Sequence, residues 1–283
     1  PVKFNTRGNS YTDGKTVVIG ANIVESKDFD VAVGLALHEG SHIKLSDFSL
    51  LADIYSLVPK YVVDGAIKKG ITNSISIIKD LWNYVEDRRI DNFVFNSAPG
   101  YRDYYRAMYD KYFNDKLIDK ALLSDEYTTE DVDSYMFRII NLHNKNTDLS
   151  KLKGLREVYK LVGLNTISRL KSSDDTFNVA LSMFQVILLN LNTVDTTDGE
   201  SESKTLSDDE FQDILDNMDG STDMSGDMDS QPSDAPSMES DADGGEPSEE
   251  SKSDDGKKSK VELTDRQKEL LKKKIEKQKD FMN

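Results

Sequence analysis

Apolar residues recur at helical spacing through most of the first 190 positions, interrupted by short stretches rich in Asn, Asp, Gly and Ser. The pattern predicts helices over about 28–46, 49–57, 73–97, 101–121, 129–145, 150–162 and 173–191. Ahead of them, Val2 to Phe4 and Thr16 to Ile19 read as short strands separated by Asn, Gly and Asp-Gly turn residues. Many helices and little sheet imply a mainly α, α+β domain over residues 1–194. The aromatic run from Tyr101 to Phe113 reads as core packing, with a tyrosine hydroxyl as a candidate oxyanion donor.

Charge changes this picture by splitting the chain. Residues 195–256 hold 22 acidic side chains against Lys204 and Lys252, a net of −20, so the remainder carries +4 of the chain's −16. A stretch this rich in Ser, Asp and Gly, almost without aromatics, buries too little apolar surface to offset chain entropy. Residues 195–261 are therefore expected to be a disordered acidic linker. Beyond it, residues 262–283 form a basic amphipathic helix capped by Thr264 or Asp265, with Leu270, Leu271, Ile275 and Phe281 on one stripe. Alone it would be marginal in water. It can dock on the folded domain, contact the acidic stretch, or open a missing domain. The first residue, Pro1, and the end shortly after this helix suggest a fragment or processed product.

The chemistry concentrates in one pentapeptide. Two of the three histidines stand four apart in His38-Glu39-Gly40-Ser41-His42, inside the run predicted to be a buried helix. Positions i and i+4 share a helix face, so both imidazoles can reach one metal ion, and Glu39 can take a proton from a water that the metal activates. The competing reading is a pair of buried histidines satisfied by hydrogen bonds. A zinc site of this kind needs a third protein ligand, and the chain has no Cys. In the 73–97 helix Glu86 falls on the apolar stripe with Ile78, Trp82 and Ile90, where an unpaired carboxylate is costly. Glu86 is thus the expected ligand, with Arg89 as its competing partner. Asp87 and Asp91 fall about 180° and 220° from Ile78, on what reads as the solvent side. Asp87 and Asp47 are the alternative ligands. The remaining histidine, His143, sits at a helix end beside Asn144 and Lys145, where a capping or surface role competes with that of oxyanion donor.

Three segments together resemble the zincin-type, gluzincin-like metallopeptidase module of phage and bacterial proteins that carry a von Willebrand A-like domain. They are Tyr11-Thr12-Asp13-Gly14-Lys15, the run from Leu35 through the HExxH motif to Phe48, and Asn83-Tyr84-Val85-Glu86-Asp87-Arg88-Arg89-Ile90-Asp91. The resemblance implies a zincin-like fold, one Zn²⁺ held by His38, His42 and Glu86, and Glu39 as general base. It also implies a cytoplasmic setting in a bacterial or phage-infected cell, with virion association a further possibility, and often an AAA+ ATPase partner. The Asp-x-Ser-x-Ser motif of an A-type domain is absent; Asp219-Gly220-Ser221-Thr222-Asp223 misses its last position. In such folds the strand before the HExxH helix lines the cleft, so an extended substrate is expected to add to that edge.

Two function classes follow. In the first the chain is a zinc metalloendopeptidase acting on peptide or protein substrates. In the second it is a catalytically silent zincin-fold adaptor whose acidic stretch and terminal helix bind a basic protein or an AAA+ ATPase. Nucleic-acid binding is the weaker reading, because acids interleave the lysines and no aromatic stacking set accompanies them. No apolar run reaches membrane-spanning length, and the lack of cysteine permits an intracellular setting.

Overall fold

The computed structural model describes residues 1–5, 10–20, 28–192 and 261–282. The acidic stretch expected to be disordered lies outside the described residues, apart from its last position. A three-stranded sheet opens the chain: β1 (Val2–Asn5), β2 (Tyr11–Thr12) and β3 (Val17–Gly20), in the order β1-β3-β2. β1 runs parallel to β3 and β2 antiparallel to it. Among the described residues the strand nearest in sequence to the HExxH helix is therefore the central one, with both edges already paired. This corrects the expectation that a substrate could extend it.

Eleven α-helices follow among the described residues: α1 (Phe29–Leu45), α2 (Ser49–Leu57), α3 (Lys60–Lys68), α4 (Ser74–Ser97), α5 (Arg102–Tyr112), α6 (Lys116–Leu123), α7 (Val132–Ile140), α8 (Leu155–Leu161), α9 (Leu164–Ile167), α10 (Ser173–Asn190) and α11 (Asp265–Phe281). The molecule is mainly helical with a small N-terminal sheet, as the hydropathy pattern predicts. The expected 101–121 helix divides at Phe113, because Asp115 accepts a hydrogen bond from the Leu117 N–H and starts α6 afresh. Pro59 stands just before α3, a helix the pattern did not announce.

α4 is the central helix. Ile78, Leu81, Val85 and Ile90 are fully enclosed, packed between α1 on one side and α10 on the other. α10 begins with a capping box between Ser172 and Asp175, which projects the Ser173 and Thr176 hydroxyls toward α4. α1 presents one stripe inward: Val31, Gly34, Leu35, His38 and Glu39. Its other face is open to solvent at Phe29 and Ile43, so it is amphipathic rather than buried all round. A Cβ on Gly34 would lie 2.5 Å from the Tyr104 carbonyl oxygen. That glycine lets α1 and α5 approach closely and brings the α5 tyrosines beside the HExxH turn.

α11 belongs to the same compact unit as residues 1–192. Leu263, Leu271 and Ile275 join Ile118, Ala121, Leu122 and Phe137 in one apolar cluster. Gln278 is buried and bonds both Asn141 and the Tyr112 carbonyl, while Lys274 pairs with Asp115 at 2.7 Å. Of the three expected fates of this helix, docking on the folded domain is the one observed. Among the described residues no helix is long and apolar enough to cross a membrane.

Candidate metal centre

α1 carries His38 and His42 one turn apart, and α4 crosses it so that the Asp87 carboxylate meets both rings. The Asp87 Oδ1 lies 3.1 Å from His42 Nε2 and 3.7 Å from His38 Nε2. The three candidate donor atoms of His38, His42 and Asp87 all lie within 4.8 Å of one another, so this group could hold a metal ion. Asp87 Oδ2 is buried and has no hydrogen-bond partner. Two imidazole nitrogens and one carboxylate make a donor set suited to zinc, and an orphaned buried carboxylate oxygen is an atom that a cation would satisfy.

Each imidazole is held by its other nitrogen. His38 Nδ1 bonds Asp91 Oδ1 at 2.8 Å. His42 Nδ1 meets Ser46 Oγ at 2.9 Å, and that hydroxyl in turn donates to Glu86 Oε1 at 2.7 Å. The Ser46 proton being committed to Glu86, His42 Nδ1–H must donate to Ser46. In the neutral tautomers both Nε2 lone pairs then point at the Asp87 side, the arrangement by which carboxylates orient metal-binding histidines.

The carboxylate that meets both histidines is Asp87, not the Glu86 expected from the helical wheel. Glu86 is buried, as expected, but its oxygens are taken up by Arg89 Nη2 at 2.6 Å, Arg89 Nε at 2.9 Å, Ser46, Ser173 at 2.8 Å and Thr176 at 2.9 Å. Burial alone would push its carboxyl up, yet the Arg89 guanidinium and the Ser46 and Ser173 hydroxyls hold it below the ordinary value. Glu86 therefore stands two hydrogen bonds behind His42, through the Ser46 hydroxyl. Arg89 also donates to the Leu45 carbonyl at the end of α1, fixing that end against α4. Asp87 and Asp91 are buried rather than solvated, because α4 is enclosed on nearly every side and its polar face is matched to the histidines of α1. Asp91 in this role escaped the sequence reading; a carboxylate four residues from Asp87, on the same face, was the available signal.

Asp47 is exposed and its carboxylate serves the start of α2, accepting from the Ser49 N–H and hydroxyl. It is not part of the cluster. His143 is exposed in the turn after α7, its ring near Tyr159, and is not brought together with the two other histidines. Tyr109 donates its hydroxyl to Asp91 and is thereby committed to the support of His38.

The charges are strongly coupled. Burial opposes a charge on His38, but Asp91 and Asp87 outweigh it and raise its pKa to about 9. Burial raises the Glu39 carboxyl, partly offset by His38 and His42. A carboxyl raised toward neutrality beside the metal group is suited to taking up and returning a proton. The site is also closed. Phe281 of α11 stacks on the His38 ring, centroids 5.0 Å apart, leaving His42 as the partly accessible member of the group.

No family model, no curated protein and no solved structure matches the chain.

Proposed function

We propose that the protein is a zinc-dependent metallopeptidase of the HExxH type on a zincin-like fold, with His38, His42 and Asp87 as the metal ligands and Glu39 as the general base. The observation that carries this reading is the convergence of two Nδ1-anchored imidazoles on a buried carboxylate with one orphaned oxygen. A zinc ion there would polarise a scissile carbonyl and lower the pKa of a water in the open coordination position. Glu39 would accept the proton released by the attacking water and hand it to the leaving amine, and the carboxyl pKa raised by burial favours the uptake. Asp91 holds the His38 ring in place, and Ser46 with Glu86 does the same for His42.

The HExxH glutamate separates catalysis from a structural metal clip. Glu39→Gln should keep its zinc and lose roughly 10²–10⁴-fold in peptide hydrolysis, the usual worth of a positioned base. Full hydrolysis by the zinc-loaded variant would remove Glu39 as the general base.

A second reading, the catalytically silent adaptor, is favoured by the cover that Phe281 puts over His38. In that form the acidic stretch alone would recruit a basic protein or an AAA+ ATPase, since the apolar stripe of α11 is already spent on the domain core. Zinc retention without hydrolysis of any peptide by a protein lacking α11 would support it.

A further inference from the structure

Arg88 and Arg89 are adjacent on α4, yet they live in opposite circumstances. Arg89 is saturated by Glu86 and the Leu45 carbonyl. The enclosed Arg138 is likewise saturated, its three guanidinium nitrogens donating to the carbonyls of Tyr127, Leu122 and Glu126. Arg88 has no ion pair among the described residues, and its Nε and Nη2 are sealed from solvent without any partner. Aromatic rings surround it instead: Tyr109 at 4.7 Å, Tyr84 at 5.3 Å and Phe113 at 5.7 Å from ring centroid to guanidinium. Those rings stabilise a cation but leave its directional donors unused. The neighbouring Asp91 does not take them; its two oxygens face His38 and Tyr109.

Arg88 also lines a cavity of about 330 Å³, together with Asp91, the partner of His38 Nδ1. Asn92 and His143 give it polar edges, while Phe95, Val162 and Ile167 wall it. The volume lies at the small end of ligand pockets, and a few convergent polar groups among apolar walls is their usual composition.

We propose that this cavity binds a carboxylate carried on a small apolar body, with Arg88 taking the carboxylate and the Phe95, Val162 and Ile167 walls taking the body. A guanidinium matches a carboxylate in a planar, two-bond geometry. Because Nε and Nη2 of Arg88 have no partner, turning these donors to an incoming anion breaks no hydrogen bond of theirs. Asp91 on the cavity wall disfavours a doubly charged phosphate relative to a single carboxylate. The carboxylate can come from a free organic acid or from the C-terminus of a peptide. The proposal does not rest on the metal or on the peptidase reading. Tyr109 nevertheless joins the two places, since it stacks on Arg88 and holds Asp91, which holds His38. Carboxylate binding and metal uptake should therefore each alter the affinity for the other by the same factor.

The test uses the whole chain and four probes: 3-phenylpropanoate, its amide, and an acetylated dipeptide ending in phenylalanine with a free or an amidated C-terminus. Binding is read from the His143 imidazole resonances, assigned by their loss in His143→Gln. Both acids should bind at least about tenfold more tightly than their amides, and Arg88→Met should abolish that difference while leaving amide affinity unchanged. Tighter binding of the peptide acid points to a peptide terminus, and tighter binding of phenylpropanoate to a free acid. Equal binding of acid and amide, or no shift of His143 by either acid at about 10 mM, overturns the proposal. If Arg88→Met fails to fold, the contrast between acid and amide on the wild-type protein still decides.

Discussion

Phe281 stacks on the ring of His38 with centroids 5.0 Å apart and planes inclined by 28°, so the last turn of α11 covers the first histidine of the HExxH motif. Phe281 also touches Tyr109, Tyr112 and Phe113. A histidine so enclosed is reached only from the His42 side or after Phe281 moves. Phe281→Ala should cost about 3–4 kcal/mol of stability and speed zinc uptake, followed in a stopped-flow experiment with a zinc indicator. Unchanged uptake would mean that the ion enters past His42 and that Phe281 is packing alone.

The supports behind the two imidazoles predict a graded loss of affinity. Ser46→Ala removes the link from His42 to Glu86, and Asp91→Asn weakens the hold on His38. Each should lower zinc affinity by roughly 10–100-fold in a chelator competition without removing the metal altogether. A variant that binds zinc as tightly as wild type would show that the corresponding support does not orient its histidine.

Protonation of His38 sets a pH dependence with a definite sign. Its pKa is raised from an ordinary 6.5 to about 9 in the metal-free protein. The stabilisation from this charge is fully present below about 6.5 and is lost as pH rises through about 9. The Tm of metal-free protein should therefore fall across that window. In zinc-loaded protein His38 cannot be protonated at Nε2, so its contribution to the fall should vanish. Zinc uptake at pH 7 should release a proton, seen as a dependence of binding enthalpy on buffer ionisation.

Two glycines near the motif should respond in opposite ways. Gly34→Ala places a Cβ against the Tyr104 backbone and should destabilise the protein, because α1 and α5 must part. Gly40, between the two histidines, has nothing within 4 Å of such a Cβ. Gly40→Ala should fold and stabilise α1 by about 0.5–1 kcal/mol, measured by denaturant unfolding.

Much of this was legible in the sequence. The HExxH spacing placed two histidines on one face of a helix, and the bounds of the second, fourth and tenth helices follow directly from their apolar periodicity. The carboxylate that meets the two histidines did not, for a physical reason. A helical wheel divides a helix into core and solvent faces, and that division fails for α4, which α1 and α10 enclose together. Glu86 lies on the stripe facing α10, where Ser173, Thr176 and Arg89 receive it, while Asp87 and Asp91 face the histidines on what read as the solvent side. A buried polar face and an exposed one look alike in a single sequence. Nor does sequence show Phe281 over His38, since that contact joins positions 243 residues apart.

The measurement that tests the central claim most directly is the metal content of protein purified without a metal-chelating tag, in wild type and in the His42→Ala, Asp87→Ala and Glu86→Gln variants. About one zinc per chain is predicted for wild type and for whatever Glu86→Gln protein folds, with zinc lost from His42→Ala and Asp87→Ala. Zinc retained by folded Asp87→Ala, or absent from wild type after reconstitution, would contradict the assignment of His38, His42 and Asp87 as a metal site.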